Sequence, residues 1–242
     1  MHLSSILIAV DSVAGSRSVM QIASELAYRS DAELNAVFVE EDEWYKASSV
    51  SFTLQVSSYT GEVLPFDEAE LSEQTKAHSK LLEHMLVSTG QNMNIRCSYH
   101  TARGSVIQEL MLASESKDMI IIGRNRMPDG RSVKIGRTAR LMVENCEKPV
   151  LLWNGKPQWP LIVSGIVQGR DSKNYVDEWT TGMGRILNRK TELIHSDETL
   201  EDFTPQKLAE DKNRLIIIKR TRDDKGISSV VPDMFPNSVL LL

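Results

Sequence analysis

One stretch, Asp118 to Trp153, constrains the fold more than any other part of the sequence. It begins with a short apolar run, Met119 to Ile122, which is typical of a parallel strand buried on both faces. Gly123 ends this run, and a polar loop leads into a predicted helix. Pro149 ends the helix and opens a second apolar run, Val150 to Trp153. A glycine turn between strand and helix favours phosphate binding, because free backbone N–H groups and the positive helix end both point at the anion.

The loop after Gly123 is basic, although the chain has a formal net charge of −5. A stretch of 17 residues holds six basic residues and a single acid, Asp129. The basic residues are Arg124, Arg126, Arg131, Lys134, Arg137 and Arg140. Such a local cluster favours a small anionic ligand or a local partner over nucleic acid, whose binders spread basic charge over a wider face. The other interpretation is a solvated loop that happens to be basic.

Composition excludes several classes of protein. No run approaches the ~18 apolar residues of a membrane span, and the apolar start is too short and lacks the basic residues of a signal peptide. The two cysteines, Cys97 and Cys146, form no disulfide framework and match no metal spacing. We therefore expect a cytoplasmic protein that binds neither membrane nor metal.

The start of the chain predicts a second strand–helix–strand unit. Ile6 to Val10 is a buried strand, a helix with a periodic apolar face follows, and Leu34 to Val39 is the next strand. The crossover should be right-handed and the strands parallel. Asp11, at the carboxyl end of the first strand, lies where such sheets bind ligands. It could equally cap the following helix, or serve both roles.

The middle of the first half is less regular. Glu40 to Glu43 is interpreted as a solvated acidic run, and residues 44–67 as either a lid or a segment with small elements of its own. A helix is predicted from Glu68 to about Ser88, with His78 partly packed on its apolar face. Alternation from Ile95 to Tyr99 indicates a strand near the sheet edge. One further helix before Asp118 completes five strands and four helices.

After residue 155 the pattern partly repeats. The sequence N-R-L-I-I-I-K-R, Asn213 to Arg220, echoes K-D-M-I-I-I-G-R, and the final N-S-V-L-L-L echoes K-P-V-L-L-W. In this copy Lys219 replaces the loop glycine, and Pro232 and Pro236 stand where a helix would be. The other predicted elements are strands at Leu161 to Val167 and Glu192 to His195, and a helix at Ser172 to Leu187. We predict a domain at 1–155 and a degenerate, truncated copy without a ligand site at 156–242.

Four motifs resemble the universal stress protein family. They are I-L-I-A-V-D-S from Ile6, A-V-F-V-E from Ala36, A-R-G-S from Ala102, and the D-M-I-I-I-G…I-G-R-T…K-P-V-L-L-W stretch from Asp118. The resemblance covers residues 1–153 well and 160–242 faintly. It implies an α/β fold with a doubly wound, five-stranded parallel sheet of strand order 3-2-1-4-5, followed by a smaller degenerate copy. It also implies domains that meet along their last strands, as a pseudo-dimer within a tandem chain or as a homodimer.

Many members of that family bind ATP, so the resemblance implies ATP or another adenine nucleotide as cofactor. Asp11 and Val39 match the family's strand-end aspartate and the residue whose backbone meets adenine. Gly123 and Gly136 match two glycines of its phosphate motif, whereas Arg126 takes the place of a third. A Ser or Thr should follow Gly136, but an arginine stands there and a threonine comes one residue late. The predicted binding residues are Asp11, Ser12, Val39, Gly123, Arg124, Arg126, Gly136, Arg137 and Thr138.

The two departures differ in weight. Because Arg137 stands where the motif has a Ser or Thr hydroxyl, one hydrogen bond worth about 1 kcal/mol is missing. Micromolar binding is worth roughly 8 kcal/mol. Glycine permits positive φ and a close backbone approach to phosphate, which Arg126 does not, although its guanidinium could clamp a phosphate instead. The backbone at Arg126 therefore decides whether the motif still works.

Three functions follow. The favoured hypothesis is a regulatory stress-response protein that acts through contacts with another protein and has a degenerate phosphate loop. The alternative is an adenine-nucleotide-binding stress protein that uses Asp11, Val39 and the Gly123–Thr138 loop. Enzyme function is not expected, since the loop has no Walker lysine and the histidines show neither a triad nor a metal spacing. A weak ATPase activity stays open.

Overall fold

The computed structural model describes residues 1–48, 53–56, 61–126, 133–168, 173–196, 213–220 and 237–242. Arg131, Pro232 and Pro236, on which sequence interpretations rest, lie outside these residues. The elements of the first half are β1 Ser5–Val10, α1 Val13–Ser30, β2 Glu33–Glu41, α2 Asp42–Ser48, β3 Leu54–Val56, β4 Val63–Pro65, α3 Glu68–Met93, β5 Cys97–Gly104, α4 Val106–Ser114, β6 Met119–Gly123, β7 Asn125–Arg126, β8 Val133–Lys134, α5 Arg137–Asn145 and β9 Val150–Trp153. Those of the second half are β10 Ile162–Gln168, α6 Lys173–Leu187, β11 Lys190–Ser196, β12 Arg214–Ile218 and β13 Ser238–Leu241.

The first half is a parallel five-stranded sheet in the order β5-β2-β1-β6-β9, which is the predicted order 3-2-1-4-5. The interiors of β1, β6 and β9 are apolar because helices cover both faces of the sheet, and β6 and β9 are almost wholly buried. The predicted strand at Ile95 to Tyr99 is β5, and it lies at the sheet edge as its alternating sequence indicated. The fold class predicted from the sequence is confirmed.

The second half adds a partial copy of this sheet. Its strands run parallel in the order β11-β10-β12-β13, which corresponds to positions 2-1-4-5 of the first half. β13 pairs antiparallel with β9, with Leu240 opposite Leu151, so nine strands form one continuous sheet. The predicted meeting of the halves along their last strands is therefore present within the chain. The domain boundary near residue 155 stays a prediction.

Both faces of the sheet carry a hydrophobic core that extends across the two halves. One core packs α1, α3 and α6 on the sheet and joins residues such as Ile8 and Val163; the other packs α4 and α5 and joins Leu7 to Ile216. Trp159 lies at the join, where its Nε1 donates to the carbonyl of Ile22 at 3.2 Å. Because burying each large apolar side chain stabilises by roughly 1.5–3 kcal/mol, we expect the halves to depend on each other for stability.

Local signals explain the helix boundaries. Asp67 caps α3 by accepting from the N–H of Ala69, and Asn94 ends it in the left-handed conformation with φ 53°. The helix thus continues past Ser88, where the sequence interpretation ended it, and runs through the buried Gly90 to its C-cap at Asn94. The described parts of residues 44–67 contain small elements, α2 and the β3–β4 hairpin, which was one of the two alternatives. Among the described residues, every helix is too short or too polar to cross a membrane.

Candidate functional site

A cavity of about 600 Å³ opens at the carboxyl ends of β1, β2 and β6. In the sheet order β2-β1-β6, the strands that follow β1 lie on opposite sides of it, so the cavity is at the topological switch point of the sheet. Open α/β sheets bind their ligands at this point. Its apolar wall includes Val10, Val37, Val106, Leu110 and Ile122. Seven of the predicted binding residues also line it: Asp11, Val39, Gly123, Arg124, Gly136, Arg137 and Thr138. Its size falls within the ~300–1,000 Å³ of small-molecule sites.

The turn after β1 presents Asp11 to this cavity. The backbone N–H of Asp11 donates to Ser16 Oγ at 3.3 Å, and its side chain is exposed. The helix cap is Ser12, whose Oγ accepts from the N–H of Gly15 at 3.1 Å, so capping was the wrong alternative for Asp11. A Cβ on Gly15 would lie 2.7 Å from Ser12 Oγ and 3.3 Å from Asp11 Oδ1, so only glycine leaves this turn undisturbed. The carboxylate of Asp11 is therefore available as a hydrogen-bond acceptor for ligand hydroxyls.

His78 braces the same turn from α3. Its Nε2 lies 3.0 Å from the carbonyl oxygen of Asp11, and its ring packs against Phe38 with centroids 5.8 Å apart. The sequence predicted a partly packed helix-face residue, which is what the structure contains. Its contact with the candidate site was missed, because nothing in the local sequence places α3 beside the end of β1.

The end of β2 forms the opposite wall. Val39 is one residue beyond the last β1–β2 pair, Val10 with Phe38, and it lines the cavity. Glu40 and Glu41 also line the cavity, which corrects their interpretation as part of a purely solvated run. Sequence reasoning gave these two acids no role because an acidic run after a strand is usually solvent-facing.

A residue of α2, Tyr45, completes this wall and was not predicted. It is buried, and its hydroxyl donates to Glu40 Oε2 at 3.2 Å. The Arg103 guanidinium carbon lies 3.7 Å from the centre of the Tyr45 ring, and Arg103 Nε lies 3.2 Å from Asp42 Oδ1. These contacts hold α2 over the ends of β2 and β5. The position of Tyr45, between a strand end and a polar segment, is the one sequence signal that could have indicated that it lines the cavity.

The N-terminus of α5 forms the anion-compatible end of the cavity. Its N-cap, Gly136, has extended dihedrals (φ −70°, ψ 160°) and makes no side-chain cap hydrogen bond. Its first turn carries Arg137 and no acid. Gly136, Arg137, Thr138 and Ala139 all line the cavity. This end therefore combines the positive end of a helix dipole with a hydroxyl and a guanidinium side chain.

The strand end and loop that precede α5 depart from the expected phosphate loop. A Cβ on Gly123 would lie 3.1 Å from Val19 Cγ2, so glycine here allows α1 to pack closely on β6. Arg124 is buried, and its Nη1 donates to the carbonyl of Asn237 at 3.0 Å, so part of its guanidinium serves the second half. The backbone of Arg126 is in β7 and pairs antiparallel with Val133. An extended residue needs no positive φ, so arginine is compatible with the backbone at 126.

The geometry suits a ligand with three different parts. The apolar wall that includes Val39 suits a flat ring, the Asp11 carboxylate suits hydroxyl groups, and the α5 terminus suits an anion. Within the described part of the chain, no group of three or more His, Cys, Asp or Glu residues could hold a metal ion.

Comparisons with known proteins give the family and the fold. The model of the universal stress protein family matches residues 3–153. A universal stress protein structure from Archaeoglobus fulgidus is 13% identical with a TM-score of 0.61, and the alignment covers 99% of this chain and 96% of that one. A functionally unknown protein from Pseudomonas aeruginosa is 13% identical with a TM-score of 0.65, covering 99% and 92%. No curated protein matches the sequence. At these identities the likeness to solved structures shows the fold alone.

Proposed function

The chain belongs to the universal stress protein family, and from that premise we propose that it is a regulatory protein that binds an adenine nucleotide in the cavity between β1, β2 and α5. The observation that carries this proposal is that one cavity of about 600 Å³ brings together Asp11, Val39 and the N-terminal turn of α5. These groups come from three separate segments of the sequence. Their meeting in one space supports the alternative hypothesis over the interaction-only hypothesis.

Each group has a role that its chemistry suits. The adenine ring packs beside Val39 and Val10, and the ribose hydroxyls donate to the Asp11 carboxylate. The phosphate accepts from the first N–H groups of α5, with the Thr138 hydroxyl and the Arg137 guanidinium beside it. A hydrogen bond to a charged group contributes about 1.5–3 kcal/mol, so these contacts together account for micromolar affinity.

Titration of the purified protein with ATP, AMP and adenosine tests the proposal. We expect dissociation constants of about 1–100 µM for the nucleotides. At a hundredfold excess over the dissociation constant, the ligand should stabilise the fold by about 2.7 kcal/mol, which is a rise in Tm of several degrees. Midpoints weaker than ~1 mM without thermal stabilisation would overturn nucleotide binding.

Asp11→Asn is the sharpest variant, because it removes the acceptor charge while keeping the side-chain shape. We expect it to weaken AMP and adenosine binding about tenfold to a hundredfold, from the loss of hydrogen bonds to a charged acceptor. Asp31→Asn is the matched control, since Asp31 lies at the opposite end of α1 and asparagine tolerates its left-handed φ of 56°. Equal effects of the two substitutions on affinity would argue against a ribose contact at Asp11.

A second function, contact with a partner protein, stays a prediction, and the structure limits one of the expected phosphate ligands. Arg124, predicted to hold phosphate, is buried and donates to Asn237, which withdraws part of its charge from the cavity. Nucleotide binding and partner contact are compatible, since the ligand could control the contact. We propose no catalytic residue, and measurement of ADP release from ATP tests this. A cytoplasmic location stays a prediction.

A further inference from the structure

We propose that the second half of the chain positions the anion-binding end of the cavity through Arg220, a residue that does not touch the ligand. Arg220 lies two residues after the end of β12, and its side chain contacts the C-terminal end of α5. The inference rests on the proposed function, because it concerns the affinity of that same site for a phosphate group. It gives the degenerate half of the chain a role in a site that lies in the other half.

The guanidinium of Arg220 binds several carbonyl oxygens where α5 ends. Nη1 donates to the carbonyl of Val143 at 2.9 Å and also to that of Cys146. Nη2 donates to the carbonyl of Lys148 at 2.7 Å, and Nε donates to that of Leu242 at 3.2 Å. The last carbonyls of a helix lack intrahelical partners and carry partial negative charge, so a cation with several donors is well suited to this position.

Burial strengthens this contact. Arg220 is largely shielded from water, and desolvation by burial lowers its pKa from the ordinary arginine value. The guanidinium nevertheless stays charged near neutral pH. A charge removed from water must be paired or fully hydrogen-bonded, and the carbonyls at the end of α5 meet much of that need.

The position of α5 at one end sets its position at the other. The helix has nine residues, which is about 13 Å, and its first turn lines the cavity while its last turn is held by Arg220. A helix of this length is marginal without tertiary contacts. Loosening its C-terminal end should therefore disorder or re-aim the N–H groups at its N-terminus.

The corresponding arginine of the first half shows that the contact is reciprocal. Arg124 and Arg220 end the two echoing sequences, and each donates its backbone N–H at 2.8 Å to the end of the neighbouring strand, at Trp153 and Leu242. Their side chains cross the β9–β13 junction in opposite directions. Arg124 reaches Asn237 and Arg220 reaches Lys148, and these two acceptors occupy equivalent places in the echoing sequences.

The two arginine contacts have different consequences for the two halves. Both arginines join the halves at the sheet, but Arg220 in addition holds the helix that presents its N-terminus to the cavity. The second half has thus kept the arginine of the repeated motif, and that arginine serves the first half's site.

Nucleotide titration of two variants tests the proposal, with the full chain used throughout. Arg220→Gln should weaken ATP and AMP binding about tenfold, or about 1.4 kcal/mol, while the affinity for adenosine changes less than about twofold because adenosine has no group at the α5 terminus. Arg220→Lys should recover part of the loss, since it keeps the cation but not the planar fork. Arg189→Gln is the matched control: Arg189 is also in the second half and donates to a backbone carbonyl, that of Pro160, at 2.9 Å.

Two results of this titration would overturn the proposal. One is unchanged ATP affinity in Arg220→Gln, and the other is an equal loss for adenosine and ATP. If Arg220→Gln fails to fold by circular dichroism, the comparison of Arg220→Lys with wild type decides, with a loss confined to the phosphorylated ligands as the expected result.

Amide hydrogen exchange separates this proposal from the proposed function. In the ligand-free protein, exchange at residues 140–143, whose N–H groups are the first to bond within α5, should be about tenfold faster in Arg220→Gln or Arg220→Lys than in Arg189→Gln. If wild type binds none of the three ligands, the proposed function fails, and faster exchange would still support the positioning of α5. Unchanged exchange in that region would refute the positioning role whatever the ligand results.

Discussion

The two halves of the molecule build the same sheet pattern but end it differently. By strand register, Gln168 takes the position in the second half that Asp11 has after β1, and Lys219 takes that of Gly123. The fourth strands of both halves, β6 and β12, are buried and apolar in their interiors. A repeated fold therefore does not imply a repeated site, because the strands are maintained by core packing whereas the site depends on a few residues at the strand ends.

The second half instead covers the edge that the first half would leave open. β9 is wholly buried, and it would be an apolar edge strand without β13 beside it. Exposed edge strands of this kind pair with other chains. The second half thus supplies within the chain the pairing that the family resemblance also allows between chains, and the following predictions test how closely the halves depend on each other.

The largest effect is expected at the centre of the β9–β13 junction. Leu151 and Leu240 face each other there and are both fully buried. Leu151→Ala and Leu240→Ala should each destabilise the chain by about 2–5 kcal/mol, from lost burial and the cavity left behind. Urea unfolding should give a single transition in both variants with similar midpoints. A biphasic curve for Leu240→Ala alone would show that the first half is stable by itself, which would break the mutual dependence.

A glycine in each half gives the next contrast. A Cβ on Gly165 in β10 would collide with Thr180 Oγ1 and lie 2.9 Å from both Leu193 Cδ2 and Val176 Cγ1. We expect Gly165→Ala to cost about 1–3 kcal/mol of stability by overpacking, with no change in nucleotide affinity per folded molecule.

Gly123→Ala is the matching change in the first half. Its Cβ meets one side chain, that of the buried Val19, at 3.1 Å, which is a milder contact than those at Gly165, so the stability cost should stay below about 1 kcal/mol. Because Gly123 lines the cavity, nucleotide affinity should fall while stability is nearly kept. Thermal unfolding and nucleotide titration of both variants check the contrast. Lost affinity in Gly165→Ala together with lost stability in Gly123→Ala would contradict the view that the first half holds the site and the second half supports it.

The last contrast concerns how the fourth strand of each half begins. Asp118, just before β6, accepts hydrogen bonds from Ser4 and Ser5, whereas β12 begins with Arg214, which pairs with Glu192. Burial alone would raise the pKa of Asp118, but the hydrogen bonds from the two serines outweigh it and hold the pKa below its ordinary value. Asp118→Asn should cost about 1–2 kcal/mol near neutral pH, since several bonds to a charged acceptor are weakened.

The pH dependence gives this prediction its sign. Because the pKa of Asp118 is lower in the folded chain than in the unfolded chain, its carboxylate stabilises the fold at pH values above the unfolded pKa, near 3.9. This stabilisation is lost as the pH falls through the folded-state pKa. The difference between wild type and Asp118→Asn should therefore shrink below about pH 4. Glu192→Gln should cost less than about 1 kcal/mol, because Glu192 is 39% exposed and solvent screens its ion pair. Denaturant unfolding at pH 7 and pH 3 measures both, and a pH-independent penalty for Asp118→Asn would contradict the hydrogen-bonded carboxylate.

Sequence reasoning worked best where one local rule sufficed. The continuous apolar run at Met119 to Ile122 indicated a central strand, and the alternation at Ile95 to Tyr99 indicated an edge, and both were confirmed. Asp11 was placed at the site by its position at a strand end and Val39 by the family resemblance, and both line one cavity. Parallel strands bring their carboxyl ends to the same edge, so residues at those ends meet whatever the helices do between them.

It failed where contacts depend on packing between distant segments. Tyr45 contacts Arg103 and His78 contacts Phe38, and these contacts hold the helices α2 and α3 over the strand ends. The periodicity of the two helix sequences does not indicate such contacts. Arg124 was predicted as a phosphate ligand from its place in the basic loop, but its guanidinium also donates to the second half.

The sequence by itself determined the strands of the main sheet, their parallel direction within each half and the repeat, because buried strands demand continuous apolar runs and an edge strand alternates. Both patterns are visible residue by residue, whereas the β7–β8 hairpin lies in a stretch that the sequence indicated only as a polar loop. Only the tertiary structure decided that Arg220 holds the end of α5, 72 to 77 positions away in the chain. That contact depends on the antiparallel pairing of β9 with β13, a long-range arrangement that brings the two halves' strand ends together and leaves no pattern in either segment alone.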